Sequence, residues 1–112
     1  MDSRLLWGTV DMLILDVVAR EPTYGYRITQ FILNQSEGYF ELKEGSLYPA
    51  LHRLEQRGWV EAEWGASENN RRARFYQVTP AGRKALRTQA ATWRRYVGAV
   101  AKVLDPSLGE IS

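Results

Sequence analysis

No cysteine occurs in this chain of 112 residues, so disulfides, thiolate nucleophiles and zinc–thiolate sites are excluded together. Its one histidine, His52, leaves too few ligands for a histidine-based metal centre, and no acid stands four residues to either side of it to form a relay pair. Gly-x-Gly-x-x-Gly, the phosphate loop ending in Gly-Lys-Ser/Thr, and Gly-x-Ser-x-Gly are all missing, so neither an enzyme nor a resident cofactor or metal is expected. No apolar run approaches the roughly 18 residues of a membrane span. The opening MDSRLLWGTVDM lacks the basic start and small-residue cleavage site of a signal peptide, and a cytoplasmic protein with no membrane partner is expected. Acid is the most informative absence. Residues 69–104 hold nine Lys/Arg and no Asp/Glu, whereas residues 1–68 hold six against eleven. Segregated basic charge of this kind points to an anionic partner more strongly than the net charge of +2 does.

What is present begins with an ordinary folded composition, 45% hydrophobic and 25% charged, at a length that suits one domain. Residues 44–58, EGSLYPALHRLEQRG, form the stretch around which the rest is arranged. Leu47, Leu51 and Leu54 recur at four and three residues, the stripe of an amphipathic helix. Ser46 is placed to cap it, Pro49 then falls in its first turn, and Gly58 stops it. The opposite face carries Tyr48, His52, Arg53, Gln56 and Arg57, which suit either solvated surface or a nucleic-acid groove.

Residues 5–19 read as a first helix, with Leu6, Val10, Leu13 and Val17 on one stripe and Met12, Ile14 and Val18 beside it. Apolar over more than one face, it is expected to pack on the core and on a second subunit. After Glu21-Pro22, Thr23 caps a second helix over residues 24–35, whose inward stripe is Ile28, Phe31 and Ile32. Tyr26 lies off that stripe, either as surface packing or as a hydroxyl aimed at a phosphate. Ser36-Glu37-Gly38 is a turn, and residues 39–43 make an extended connector or a minor strand ending at Lys43.

Residues 59–64 alternate as a half-buried strand, with Val60, Ala62 and Trp64 on one face and Glu61 and Glu63 on the other. A polar tip at residues 65–72 includes Asn69, Asn70, Arg71 and Arg72, and residues 74–78 return as the second strand, starting at Arg74. Thr79-Pro80 starts a last helix running to Leu104, in which Leu86, Ala90, Trp93, Val97, Val100 and Leu104 are spaced as a coiled-coil seam. A helix of about 37 Å overshoots a small domain, so a partner helix is expected to cover the seam. Residues 105–112 read as a frayed tail. The predicted class is mainly α with a small β-hairpin, a winged helix-turn-helix over residues 1–78 followed by a long C-terminal dimerisation helix over residues 79–104. In that layout the third helix enters the major groove and the hairpin wing reaches the backbone or minor groove.

With these residues in view, EGSLYPALHRLEQRGWVEAEW, NNRRARFYQVTPAG, GTVDMLILDVVA and YGYRI together resemble the PadR family of bacterial transcriptional regulators, over about residues 5–104. The resemblance implies a homodimeric repressor that binds an inverted repeat of double-stranded DNA, with the first and last helices at the dimer interface. It also implies that Gly25-Tyr26 opens the second helix, that Ser46, Tyr48 and Pro49 begin the recognition helix, and that residues 71–74 form the wing. A single helix after the wing is similar to the family's shorter branch. The DNA-contacting set expected from both readings is Tyr26, Lys43, Ser46, Tyr48, Pro49, His52, Arg53, Asn69, Asn70, Arg71, Arg72 and Arg74. The competing class is a winged helix that binds only protein; such modules usually lose wing basicity, which this chain keeps. Four tryptophans and six tyrosines suit core and interface filling, or a stacking pocket for a small hydrophobic or aromatic effector.

Overall fold

Helix α1 (Ser3–Arg20) carries more apolar side chains than one stripe can hold, and a computed structural model, which describes residues 3–104 and 107 with side chains from Gly8 onward, shows where they go. The helix is the axle of the fold, contacted by α2 (Gly25–Gln35), α3 (Glu44–Gln56), β3 (Arg72–Val78) and α4 (Pro80–Val103). Met12, Ile14, Leu15, Val17 and Val18 are buried. Around them close Ile28 and Ile32 from α2, Leu47, Ala50, Leu51 and Leu54 from α3, and Val60 and Tyr76 from the sheet. Full burial of such a side chain contributes about 1.5–3 kcal/mol, so this cluster dominates stability. Val17 lies inside the chain's own core at 7% exposure, which corrects the expectation that it faces a second subunit; the excess apolar character of α1 is used by four neighbours of the same chain. Leu6 and all of the tail but Ser107 lie outside the described side chains.

The sheet has three antiparallel strands in the order β1-β3-β2, one more than the expected hairpin. Thr23 does not cap the second helix. It forms, with Tyr24, the two-residue strand β1 (Thr23–Tyr24) and pairs with Tyr76, while Tyr24 takes the cap position with no side-chain bond. Strand β2 (Val60–Ala66) and β3 run from Val60↔Val78 to Ala66↔Arg72, so both are longer than the alternation suggested and the loop is only residues 67–71.

Helix α3 starts two residues before the expected cap. Lys43 holds the cap position and Ser46 is inside the helix, so Pro49 falls in the second turn. Its missing N–H leaves the carbonyl of exposed Gly45 open to water, which limits the cost of a proline this near the start. The far end behaves as the sequence indicates. Gly58 adopts φ +74, its N–H reaches Glu55 O at 2.9 Å, and Trp59 N–H reaches Leu54 O at 3.0 Å. These paired bonds make a Schellman stop, which turns the chain directly into β2.

Thr79 then ties three elements together. Its Oγ1 accepts from Gly82 N–H at 3.0 Å, capping α4, and donates to Gly58 O at 2.7 Å, while its own N–H donates to Trp59 O at 3.0 Å. Gly82 is required here, because a Cβ would come within 2.1 Å of Trp59 O. Replacing Thr79 with Val keeps shape and removes both hydroxyl bonds. The urea midpoint should fall by the equivalent of about 1–2 kcal/mol at unchanged slope, with Thr79→Ser close to wild type. A Val variant that unfolds at the wild-type midpoint would show the tie to be energetically idle.

Candidate nucleic-acid interface

Because Leu47, Ala50, Leu51 and Leu54 turn inward, α3 presents Gly45, Tyr48, Pro49, His52 and Gln56 to solvent. Ser46 is half-buried and Lys43 stands at the helix start, ion-paired to Glu41 at 2.9 Å. Tyr48 leans toward the N-terminus of α2, where Gly25 makes room for it: a Cβ on Gly25 would lie 2.6 Å from the Tyr48 hydroxyl. Tyr26, one residue further along α2, is 67% exposed. The YGY and SLYP segments, distant in sequence, thus form one surface.

The wing supplies the facing wall. Side chains alternate along a strand, so Val60, Ala62 and Trp64 share a face with Val78, Tyr76, Arg74 and Arg72, and Glu61 and Glu63 point the other way. The inner half of this face is core. Its outer half runs past the core, which leaves Trp64 58% exposed rather than half-buried and sets the Arg72 guanidinium 4.3 Å over its ring. Tyr24, Gly25, Tyr26, Tyr48, Trp64, Arg72, Arg74 and Tyr76 all line the resulting groove of about 480 Å³. The alternation places Trp64 only on the inner face of a half-buried strand, and it carries no signal for Arg27, whose Nε reaches Glu68 at the wing tip at 3.2 Å. The one signal for Trp64 was the polar run directly behind it.

At the tip, Asn70 takes φ +56 and its N–H donates to Ser67 O at 2.9 Å, a turn that leaves Asn69, Asn70, Arg71 and Arg72 exposed. Among the described residues no ion pair joins Arg71 or Arg72 to a carboxylate. Two other arginines are placed differently from expectation. Arg74, far in sequence from any acid on its C-terminal side, is held by Glu55 of α3 through bonds of 3.1 and 2.9 Å. Arg53 turns away from the outward face to Asp11 on α1, through bonds of 3.1 and 2.8 Å. Within the acid-free run, Arg74 is therefore matched by a carboxylate from the acidic half, which position along the chain does not reveal.

The long helix separates into two parts. Leu86 and Ala90 are half-buried against α1, while residues 91–104 are exposed, with Trp93 stacked on Tyr96 at 5.8 Å between ring centres and Val97, Val100 and Leu104 uncovered. On the α1 side, Gly8, Thr9 and Met12 face Thr88, Gln89, Thr92, Trp93 and Tyr96 across a cleft of about 320 Å³. No helix among the described residues is long and apolar enough to cross a membrane.

Comparison with known proteins bears on this layout. Residues 14–88 match the Transcriptional regulator PadR-like family. Transcriptional regulator Rv3488 of Mycobacterium tuberculosis is 38% identical over 79 residues, 70% of each chain. A protein of Lysinibacillus sphaericus named only Uncharacterized protein X is 31% identical over 91 residues, 81% of this chain and 84% of that one. Among solved structures, a transcriptional regulator from Clostridium thermocellum matches with a TM-score of 0.81 at 28% identity, covering 94% of this chain and 99% of its own. A PadR family transcriptional regulator from Eggerthella lenta matches at 0.75 and 30% identity, covering 92% and 88%.

The contact between Gly25 and Tyr48 can be tested directly. Alanine at residue 25 must displace the tyrosine tip, which is exposed enough to move, so the fold should survive while the groove loses its shape. Affinity for duplex should drop by about 1–3 kcal/mol in anisotropy titrations, the size of one good contact. In a Tyr48→Ala background the same change should add almost nothing, as expected of coupled neighbours; additive losses would show that Gly25 acts on its own.

Proposed function

The chain belongs to the PadR-like family of transcriptional regulators, and on that premise we propose that this DNA-binding regulator is a homodimeric repressor acting on an inverted-repeat operator. Each α3 lies in a major groove, with Tyr48, Pro49 and His52 at the end nearest the bases, and each wing lies on the flanking backbone or minor groove. One observation carries this reading: Tyr26, Tyr48, Trp64, Arg72 and Arg74 meet in a single groove beside the exposed face of α3, and Arg71, next to Arg72 at the wing tip, is exposed. Aromatic hydroxyls and guanidiniums on one surface suit a phosphate backbone. Repression follows where the operator overlaps a promoter.

Salt dependence tests the wing. Counterions are released when arginines neutralise phosphates, so Arg71→Ala/Arg72→Ala should make the slope of log affinity against log salt shallower. The change should be about 3.6 if four contacts are lost per dimer at roughly 0.9 each, and about half that if one arginine per subunit engages. Affinity for operator and random duplex should fall together. An unchanged slope means that these arginines only solvate the hairpin.

The exposed seam supports the dimer. Val97, Val100 and Leu104 continue the a/d spacing from Trp93, itself partly covered by α1, along an exposed helix end. A charge at Trp93 or Val97 would be buried without a partner in a paired state, so Trp93→Glu or Val97→Glu should yield monomers by light scattering. Dimer mass in both variants would remove this helix from the interface. A second reading, release by a small aromatic effector in the cleft between α1 and α4, is favoured by Gln89, which lines that cleft with Trp93 and Tyr96 and whose buried Oε1 has no hydrogen-bond partner among the described residues.

A further inference from the structure

Arg53 follows His52 directly on α3, yet its guanidinium is engaged behind the helix. Nε donates to Oδ2 of Asp11 at 3.1 Å and Nη2 to Oδ1 at 2.8 Å, a two-bond fork on a side chain that is itself only 9% exposed. Asp11 is the one buried carboxylate among the described residues. The hydrogen bond to it raises the Arg53 pKa above its ordinary value against the opposing effect of burial, so the guanidinium keeps its charge. A carboxylate this far from water is strongly unfavourable without its cation, and Arg53 is therefore not free to swing toward DNA.

The packing of α3 explains why such a pair is needed. Its inward contacts are Leu47, Ala50, Leu51 and Leu54, and hydrophobic burial is non-directional: it holds the helix down without fixing its rotation or slide. A forked charge-assisted pair is directional. Placed on the α1 flank of a helix whose other flank is held by the Glu55–Arg74 pair, it completes a two-sided clamp. Reading base edges requires side chains held to within about 0.5 Å and 10–20°.

We infer that Arg53 is a positioning residue, which sets the rotation of α3 against α1 through Asp11 so that Pro49 and His52 meet their bases, and does not itself contact DNA. This rests on the proposed reading that α3 reads an operator. Since Asp11 is flanked on α1 by Val10 and Met12, and Met12 lines the cleft with α4, the pair also links the recognition helix to the helix that meets α4.

The test compares wild type, Arg53→Gln, Asp11→Asn and the double variant, titrated against a random duplex and against a duplex selected by the wild-type protein from a random pool. Each single variant should lose about tenfold on the selected duplex, the scale of one misplaced base contact. Random-duplex affinity and its salt slope should stay unchanged, because no phosphate contact is lost. Asp11→Asn should match Arg53→Gln although Asp11 cannot reach DNA, and the double variant should be no worse than either. Wild-type selectivity in Asp11→Asn with loss in Arg53→Gln would overturn the inference and make Arg53 a direct contact. A slope shallower by about 1.8 in Arg53→Gln, one phosphate per subunit, would also overturn it. Should Asp11→Asn fail to fold, Asp11→Leu/Arg53→Met replaces the pair by apolar packing. Folded protein of that kind should bind random duplex normally and select poorly, and full selectivity in it would refute the role of Arg53. Wild type that binds no duplex at low salt would instead remove the operator reading itself, and the inference with it.

Discussion

Burial of the apolar side chains of α1 among four neighbours is the constraint from which the rest of the molecule follows. A helix with Met12, Ile14, Leu15, Val17 and Val18 all inward cannot rest on one neighbour, and the chain supplies four around it. Helices α2 and α3, proposed to face DNA, are therefore anchored to one body, and so is the helix proposed to join the subunits. Helix α3 is joined to that body both by the packing of Leu47, Ala50 and Leu51 and by the Asp11–Arg53 pair.

Backbone polarity orders the second half of the chain. The Schellman stop at Gly58 leaves Gly58 O and Trp59 O pointing at Thr79, whose hydroxyl and N–H take one each and whose hydroxyl also caps α4. The end of α3, the first residue of the wing's root and the start of α4 are thus one hydrogen-bonded junction. Wing direction and α4 direction are both referred to the end of α3, which explains why Gly82 tolerates no side chain.

Electrostatics is arranged by tertiary contact more than by position in the chain. The acid-free stretch marks the basic side, but Glu55 comes from the acidic half to hold its Arg74, while Arg53 and Arg27 of the acidic half pair with Asp11 and Glu68 far along the same half. What remains without a carboxylate at the wing tip is Arg71 and Arg72, the second stacked on Trp64.

Periodicity and punctuation were enough to place the four helices, the Gly58 stop, the Thr79 cap and the hairpin, because each depends on neighbours within a few residues. The inward leucines of α3 were legible for the same reason, and with them the outward Tyr48, Pro49 and His52. Strand β1 was not, since two residues carry no period and exist as a strand only because β3 lies beside them. Nor could local pattern show that Trp64 lies beyond the edge of the core, that Gly25 makes room for Tyr48, or that Arg53 and Arg74 are spoken for by acids 42 and 19 residues away. Local geometry decides what a segment becomes, whereas burial and ion pairing depend on which segments meet, and only the folded chain settles that.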